Sequence, residues 1–191
     1  MKGDTVVVFA RAPRLGAVKR RLARGIGAMA ALRFYRAQLA ATLREAGGGR
    51  WRVILAVTPD CTRAHWPRRV SIARQGPGDL GARMERALRA HRRAVIVGSD
   101  IPDLARADIR AAFRALGRAD AVFGPAEDGG YWLVGLGPRR PARPFGEVRW
   151  SSEHALADTL ANFHGRRIAL LRRLRDVDTA EDLHALRRRS A

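Results

Sequence analysis

Short, uniformly apolar runs alternate along this chain with longer stretches whose apolar residues recur every three or four positions. Thr5–Phe9 and Ala94–Gly98 have no polar face, as expected of strands buried on both sides. Arg52–Val57, Val70–Ala73, Ala121–Gly124, Tyr131–Gly135 and Ile168–Leu171 predict five further strands. Leu32, Tyr35, Leu39 and Leu43 share one helical face within Ala28–Glu45, and Gly47-Gly48-Gly49 ends that helix. Leu80, Met84, Ala87 and Leu88 mark a helix that Asp79 can cap. Ile109, Ala112, Phe113 and Leu116 mark another, and helix signals return over Ser152–Asn162 and from Thr179. Ala10–Gly27 reads as a loop, and the Pro- and Arg-rich segment Gly137–Pro144 as the most flexible part. With no internal repeat and no linker, the pattern predicts one α/β domain over residues 1–191 with a mainly parallel sheet.

The 191 residues are 47% hydrophobic, enough for a real core and too many for a disordered chain. A single cysteine, Cys61, excludes an internal disulfide and any multi-cysteine metal or redox site. No apolar run approaches the roughly 20 residues of a membrane helix, and the first residues lack a signal-peptide layout, so a soluble cytoplasmic protein is expected. The net charge of +19 raises the question of nucleic acid. Yet the basic residues are spread along the whole chain rather than gathered into one footprint. There are 35 arginines and 2 lysines, a skew that a GC-rich coding bias produces without any function. Against that background Lys19, inside a Gly-containing loop, stands out, because an ammonium is a compact point charge and a guanidinium a planar fork.

Ligands of open α/β sheets bind beyond the carboxyl ends of strands, and polar clusters follow directly on predicted strands here. The segment Ala10–Leu22 offers Gly16 for close backbone approach and Lys19 and Arg21 for phosphate; it is also readable as a basic surface loop. It is neither a Walker loop nor a dinucleotide fingerprint. In Gly98–Leu104, Asp100 stands where a strand ends and suits Mg²⁺ or Mn²⁺, with a turn or capping aspartate as the plainer reading. Pro125–Trp132 carries Glu127, Asp128, Tyr131 and Trp132 around an Asp-Gly step that would ordinarily mean a tight hairpin. In Asp176–Leu183, alternation turns Asp176 and Asp178 the same way, while Asp178 and Glu181 have capping-box spacing.

In this order the stretches resemble a known family. Phe9–Leu22, Gln75–Met84, Gly98–Leu104, Asp128–Gly135, Trp150-Ser151-Ser152 and Asp176–Leu183 together look like the small bacterial GT-A-like glycosyltransferases, often called arsenosugar-biosynthesis-type. The chain is more distantly similar to phospholactate and molybdenum-cofactor guanylyltransferases. Two positions depart from the family pattern: Lys19-Arg20-Arg21 stands where Lys-Thr-Arg is common, and Trp150-Ser151-Ser152 where Trp-Ser-Thr is common.

The resemblance implies a three-layer nucleotide-diphospho-sugar transferase fold with a mixed, mostly parallel sheet. It implies that Arg11, Gly16, Lys19 and Arg21 cradle the nucleotide phosphates and that Asp79, Gly81 and Arg83 lie near the base or ribose. Asp100 and Asp178 match the metal-binding carboxylates, for Mg²⁺ or Mn²⁺. Asp128, Gly130, Tyr131 and Trp150 would face the transferred group or acceptor; Asp128 is the candidate general base if the transfer inverts, a role that disappears if stereochemistry is retained. The implied activity is metal-dependent glycosyl transfer from a nucleotide-diphospho-sugar to a small-molecule or cell-envelope acceptor. The alternative is nucleotidyl transfer from a nucleoside triphosphate to a phosphorylated small molecule. A basic binding protein using the fold without catalysis is the reading from another class, separable by salt-steep nucleic-acid binding.

Overall fold

The apolar runs assemble into one seven-stranded sheet in the order β3-β2-β1-β4-β6-β5-β7. The computed structural model describes residues 3–62, 66 and 70–189. The strands are β1 (Thr5–Arg11), β2 (Arg52–Thr58), β3 (Ser71–Arg74), β4 (Ala94–Gly98), β5 (Ala121–Pro125), β6 (Tyr131–Leu136) and β7 (Ile168–Leu170). The helices are α1 (Arg20–Ile26), α2 (Ala28–Ala46), α3 (Leu80–Arg89), α4 (Arg106–Ala115), α5 (Ala155–Ala161) and α6 (Ala180–Arg189). β1 pairs in parallel with both β2 and β4, β2 with β3, and β5 with β7; β6 runs antiparallel between β4 and β5.

β1 is apolar throughout because both its faces are covered. Val6, Val8 and Ala10 pack with Leu32, Leu39 and Leu43 of α2 and with Ile109 and Phe113 of α4. Val7 points the other way and packs with Met84 and Leu88 of α3 and with Phe163 beyond α5. A smaller core joins Leu22 of α1, Ala31 of α2, and Val177 and Leu183 around α6. The result is three layers, helix on sheet on helix, as the pattern and the resemblance predict.

Two expectations change. The stretch Ala10–Gly27 contains a helix, α1, whose seven residues bury only Leu22 and therefore carry almost no periodic signal. The segment Gly137–Pro144, expected to be the most flexible, is pinned by Arg140. That guanidinium donates to the carbonyls of Gly137, Leu88, His91 and Arg92 at 2.7–3.0 Å, tying the loop to the end of α3.

Candidate active site

β1 and β4 are neighbours, but the chain leaves β1 toward β2 on one side and reaches β4 from the other. A crevice opens at such a reversal because the connecting segments depart in opposite directions. Here it is a cleft of about 1010 Å³ lined by Arg11, Lys19, Arg21, Asp79, Arg83, Asp100, Trp150 and Asp178.

The basic wall begins where β1 stops. Tyr35 of α2, 3% exposed, donates its hydroxyl to the Arg11 carbonyl at 2.8 Å and accepts the Arg11 N–H at 2.9 Å. One buried phenol thus fixes the strand's last residue, and its burial pushes its pKa up to about 12, so it stays protonated and able to donate. Gly16 adopts φ 73 in the exposed turn that follows. Lys19 then takes left-handed φ/ψ of 49° and 46°, the residue before α1. Its side chain is 3% exposed, and its ammonium lies 3.2 Å from Asp100 Oδ2 and 2.8 Å from Asp178 Oδ1. Burial works against that charge, yet the two carboxylates prevail and hold the Lys19 pKa above its ordinary value. Arg21, exposed, stands 3.7 Å from Asp178. Lys2, the second lysine, lies outside the described residues.

Asp100 follows β4 directly, where the sheet ends. Asp178 reaches the cleft for a reason that spacing alone misassigned. The capping box at the start of α6 is made by Thr179 and Asp182, not by Asp178 and Glu181. Asp182 Oδ2 accepts the N–H of Asp178 at 3.0 Å, the N–H of Thr179 at 2.8 Å and the Thr179 hydroxyl at 3.0 Å, and the Asp182 N–H returns to Thr179 Oγ1. That shift of one residue leaves the Asp178 carboxylate free for Lys19.

A second cavity of about 290 Å³ adjoins the first and shares Asp100, Trp150, Ser151, Phe9, Leu80 and Gly98 with it. Its floor is apolar, from Met84, Ile96 and Leu133, and aromatic, from Tyr131, Trp132 and Trp150. Its polar rim holds Asp100, Asp128, Asp176, Ser151 and Ser152, and among the described residues no Lys or Arg lines it. Asp128 sits in the turn between β5 and β6. Its Oδ1 accepts the Gly130 N–H at 2.9 Å, which orients the carboxylate, while the turn spans more residues than the tight hairpin that Asp-Gly suggests. Asp176, which alternation pairs with Asp178 but to which the resemblance gives no role, also lines this pocket. The alternation around buried Val177 was its signal, and burial, then the neighbouring Asp178 and Asp128 carboxylates, push its pKa up to about 6.

Gly130, Tyr131 and Trp150 line this second cavity. Gly16 and Gly81 line neither cavity. Gly81 instead lies against Trp150 and Phe145, where a Cβ would come within 2.9 Å of the indole, so its smallness lets the Trp150 segment pack on α3. Asp79 caps α3 by accepting the Ala82 N–H at 2.8 Å, and Arg83 donates to the Gly78 carbonyl at 2.8 Å, so both are partly engaged in shaping that loop.

For Mg²⁺ or Mn²⁺ the donor set fits in kind. Asp100 and Asp178 are two carboxylates, 40% and 41% exposed on the cleft side, matching ions that take one or two carboxylates plus substrate phosphates. Among the described residues no group of three His, Cys, Asp or Glu side chains is arranged to hold a metal unaided.

The chain belongs to the family DUF2064. That family is described as uncharacterized proteins conserved in bacteria, and its model matches residues 39–152. No curated protein matches the chain. Among solved structures, a candidate nucleotide-diphospho-sugar transferase of Desulfovibrio desulfuricans G20 is 28% identical, with a TM-score of 0.91 over 100% of this chain and 88% of that one. Rv0371c of Mycobacterium tuberculosis H37Rv, in a structure complexed with manganese, is 19% identical, with a TM-score of 0.54 over 96% of this chain and 97% of that one. The 4-diphosphocytidyl-2C-methyl-D-erythritol synthase of Anaerococcus prevotii DSM 20548 is 10% identical, with a TM-score of 0.56 over 100% and 99%. The last two share the fold alone. The fold is the nucleotide-diphospho-sugar transferase type that the resemblance implies. No helix among the described residues is long and apolar enough to cross a membrane.

Proposed function

We propose that this protein is a metal-dependent glycosyltransferase that moves a sugar from a nucleotide-diphospho-sugar to a hydroxyl of a small acceptor. The observation that carries the reading is the meeting of two unlike cavities at Asp100: a basic cleft suited to a diphosphate, and a largely apolar pocket whose charged lining residues, among those described, are all carboxylates. Arg11, Lys19 and Arg21 would bind the diphosphate by charge-assisted hydrogen bonds. Asp100 and Asp178 would hold Mg²⁺ or Mn²⁺, whose charge offsets that building on the departing nucleoside diphosphate. Asp79 and Arg83, on the far wall, would lie near the base and ribose. Asp128, oriented by the Gly130 N–H, would take the acceptor's proton as its oxygen bonds the anomeric carbon and the sugar–phosphate bond breaks, as in an inverting transfer. Gly130, Tyr131 and Trp150 would wall the acceptor and shed water.

The charge of the second pocket bears on the rival reading. Nucleotidyl transfer, the alternative that the resemblance leaves open, needs a phosphate nucleophile in that pocket. A phosphate there meets Asp128, Asp176 and Asp100, with no Lys or Arg among the described lining residues to compensate and only Ser151 and Ser152 as neutral polar side chains on the rim. A neutral hydroxyl meets a base. Asp128→Asn tests the assignment: transfer should fall about 10²- to 10⁴-fold while nucleotide binding is kept. Full turnover in that variant removes Asp128 as the base, and triphosphate consumption with pyrophosphate release selects the nucleotidyl reading.

A further inference from the structure

We propose that Lys19 is a resident counter-cation that keeps divalent metal out of the free enzyme, so that metal and diphosphate are admitted only together. This rests on the reading of Asp100 and Asp178 as the metal-bearing pair.

The geometry is unusual for a phosphate-binding lysine. Lys19 does not reach into solvent. Its backbone is left-handed, its side chain is only 3% exposed at the cleft wall, and the ammonium lies 3.2 Å from Asp100 and 2.8 Å from Asp178. Both carboxylates line the same cleft and stay about two-fifths exposed. The pair is therefore partly neutralised by a buried ammonium while remaining open to the cleft. In a chain with 35 arginines, a lysine stands here because a point charge with three donors fits between two carboxylate oxygens that a planar fork would overfill.

A divalent cation arriving alone on those oxygens would bring two positive charges against a third that has no water to withdraw into. Lys19 already offsets one of the two carboxylate charges, and its repulsion of a divalent ion in a partly desolvated site is strong. A diphosphate changes the sum: its negative charge compensates both the metal and the ammonium, and gives Lys19 a second set of acceptors. Arg21, beside Asp178, adds to the same balance and cannot replace Lys19, because it is exposed and stands 3.7 Å away. Metal and diphosphate affinities are then coupled, each raising the other by the same factor.

Mn²⁺ binding to the nucleotide-free protein, followed by electron paramagnetic resonance of the unbound ion, tests this directly. Wild type should bind Mn²⁺ weakly, in the millimolar range, and Lys19→Met about tenfold tighter or more. Asp100→Asn added to Lys19→Met should abolish the gain. If Lys19→Met binds Mn²⁺ no better than wild type, the gate is overturned while the carboxylate pair can still hold metal. If the gain survives in the double variant, the metal lies elsewhere and the reading of Asp100 fails with it. Micromolar Mn²⁺ binding to free wild type overturns the proposal whether or not Lys19→Met folds.

Discussion

At the scale of single residues, the site depends on side chains that hold other groups in place. Tyr35 is the clearest case, since its hydroxyl serves both backbone groups of Arg11 and is buried while doing so. Tyr35→Phe leaves that carbonyl and N–H without their partner, and the loss should be about 1–3 kcal/mol in chemical denaturation. With Arg11 proposed to bind the donor diphosphate, the same variant should raise the KM for the donor more than it lowers kcat. Unchanged stability would show that water replaces the phenol. The sequence disclosed some of these residues and hid others. Lys19 was visible because lysine is rare in this chain. Asp100 was visible because it follows a strand. Tyr35 read only as one more apolar-face position, since periodicity reports burial and not what a hydroxyl touches. Asp182 was obscured by Glu181, which competes for the same capping-box spacing one residue earlier.

At the scale of elements, the long and strongly patterned ones were legible. β4 matches its expected bounds, and β1, β2, β5 and β6 extend one or two residues beyond theirs. α5 is shorter than the expected Ser152–Asn162 because Ser152 and His154 spend their polar groups on a turn, with Ser152 Oγ donating to the Arg149 carbonyl at 2.6 Å. α1 was missed because one buried leucine makes no period. The turn between β5 and β6 carries the candidate base and has no freedom at Gly129. That residue adopts φ 84, its missing Cβ faces the Glu153 carbonyl, and its own carbonyl accepts the Leu156 N–H at 3.0 Å. Gly129→Ala should therefore cost about 1–3 kcal/mol and displace Asp128, seen as a lower melting temperature together with weaker acceptor binding. A variant of wild-type stability would mean that this turn is not seated against α5 as described.

At the scale of the whole molecule, the antiparallel β6 could not be read from the chain, because β5 and β6 are apolar on both faces whichever way they run. Their insertion sets β4 beside β6, so that Asp100 and Asp128 share one pocket wall. Acid should loosen this architecture at its margins first. Asp120 is held below its ordinary pKa by the Arg167 N–H and by Arg139, where β5 and β7 begin. Asp158 of α5 is held well below the usual range by Arg149, which grips both its oxygens. A carboxyl depressed in the folded state stabilises fully above about pH 4 and progressively less as pH falls toward its folded value. Melting temperature should thus drop on acidification below that point, and less steeply in Asp158→Asn than in wild type. Parallel curves for the two proteins would remove Asp158 from the explanation.

The same scale holds the central claim, that a basic cleft and an acidic-rimmed pocket meet to transfer a sugar. The most direct measurement is a thermal-shift panel with UDP, GDP, CDP, their sugars and the four triphosphates, each with and without Mn²⁺. A ligand at ~100 times its dissociation constant adds about 2.7 kcal/mol, which is readily visible. One class of nucleotide-diphospho-sugar should stabilise the protein, in a manner dependent on Mn²⁺ and lost in Asp100→Ala. A metal-dependent preference for a triphosphate, or no shift with any nucleotide, would contradict it.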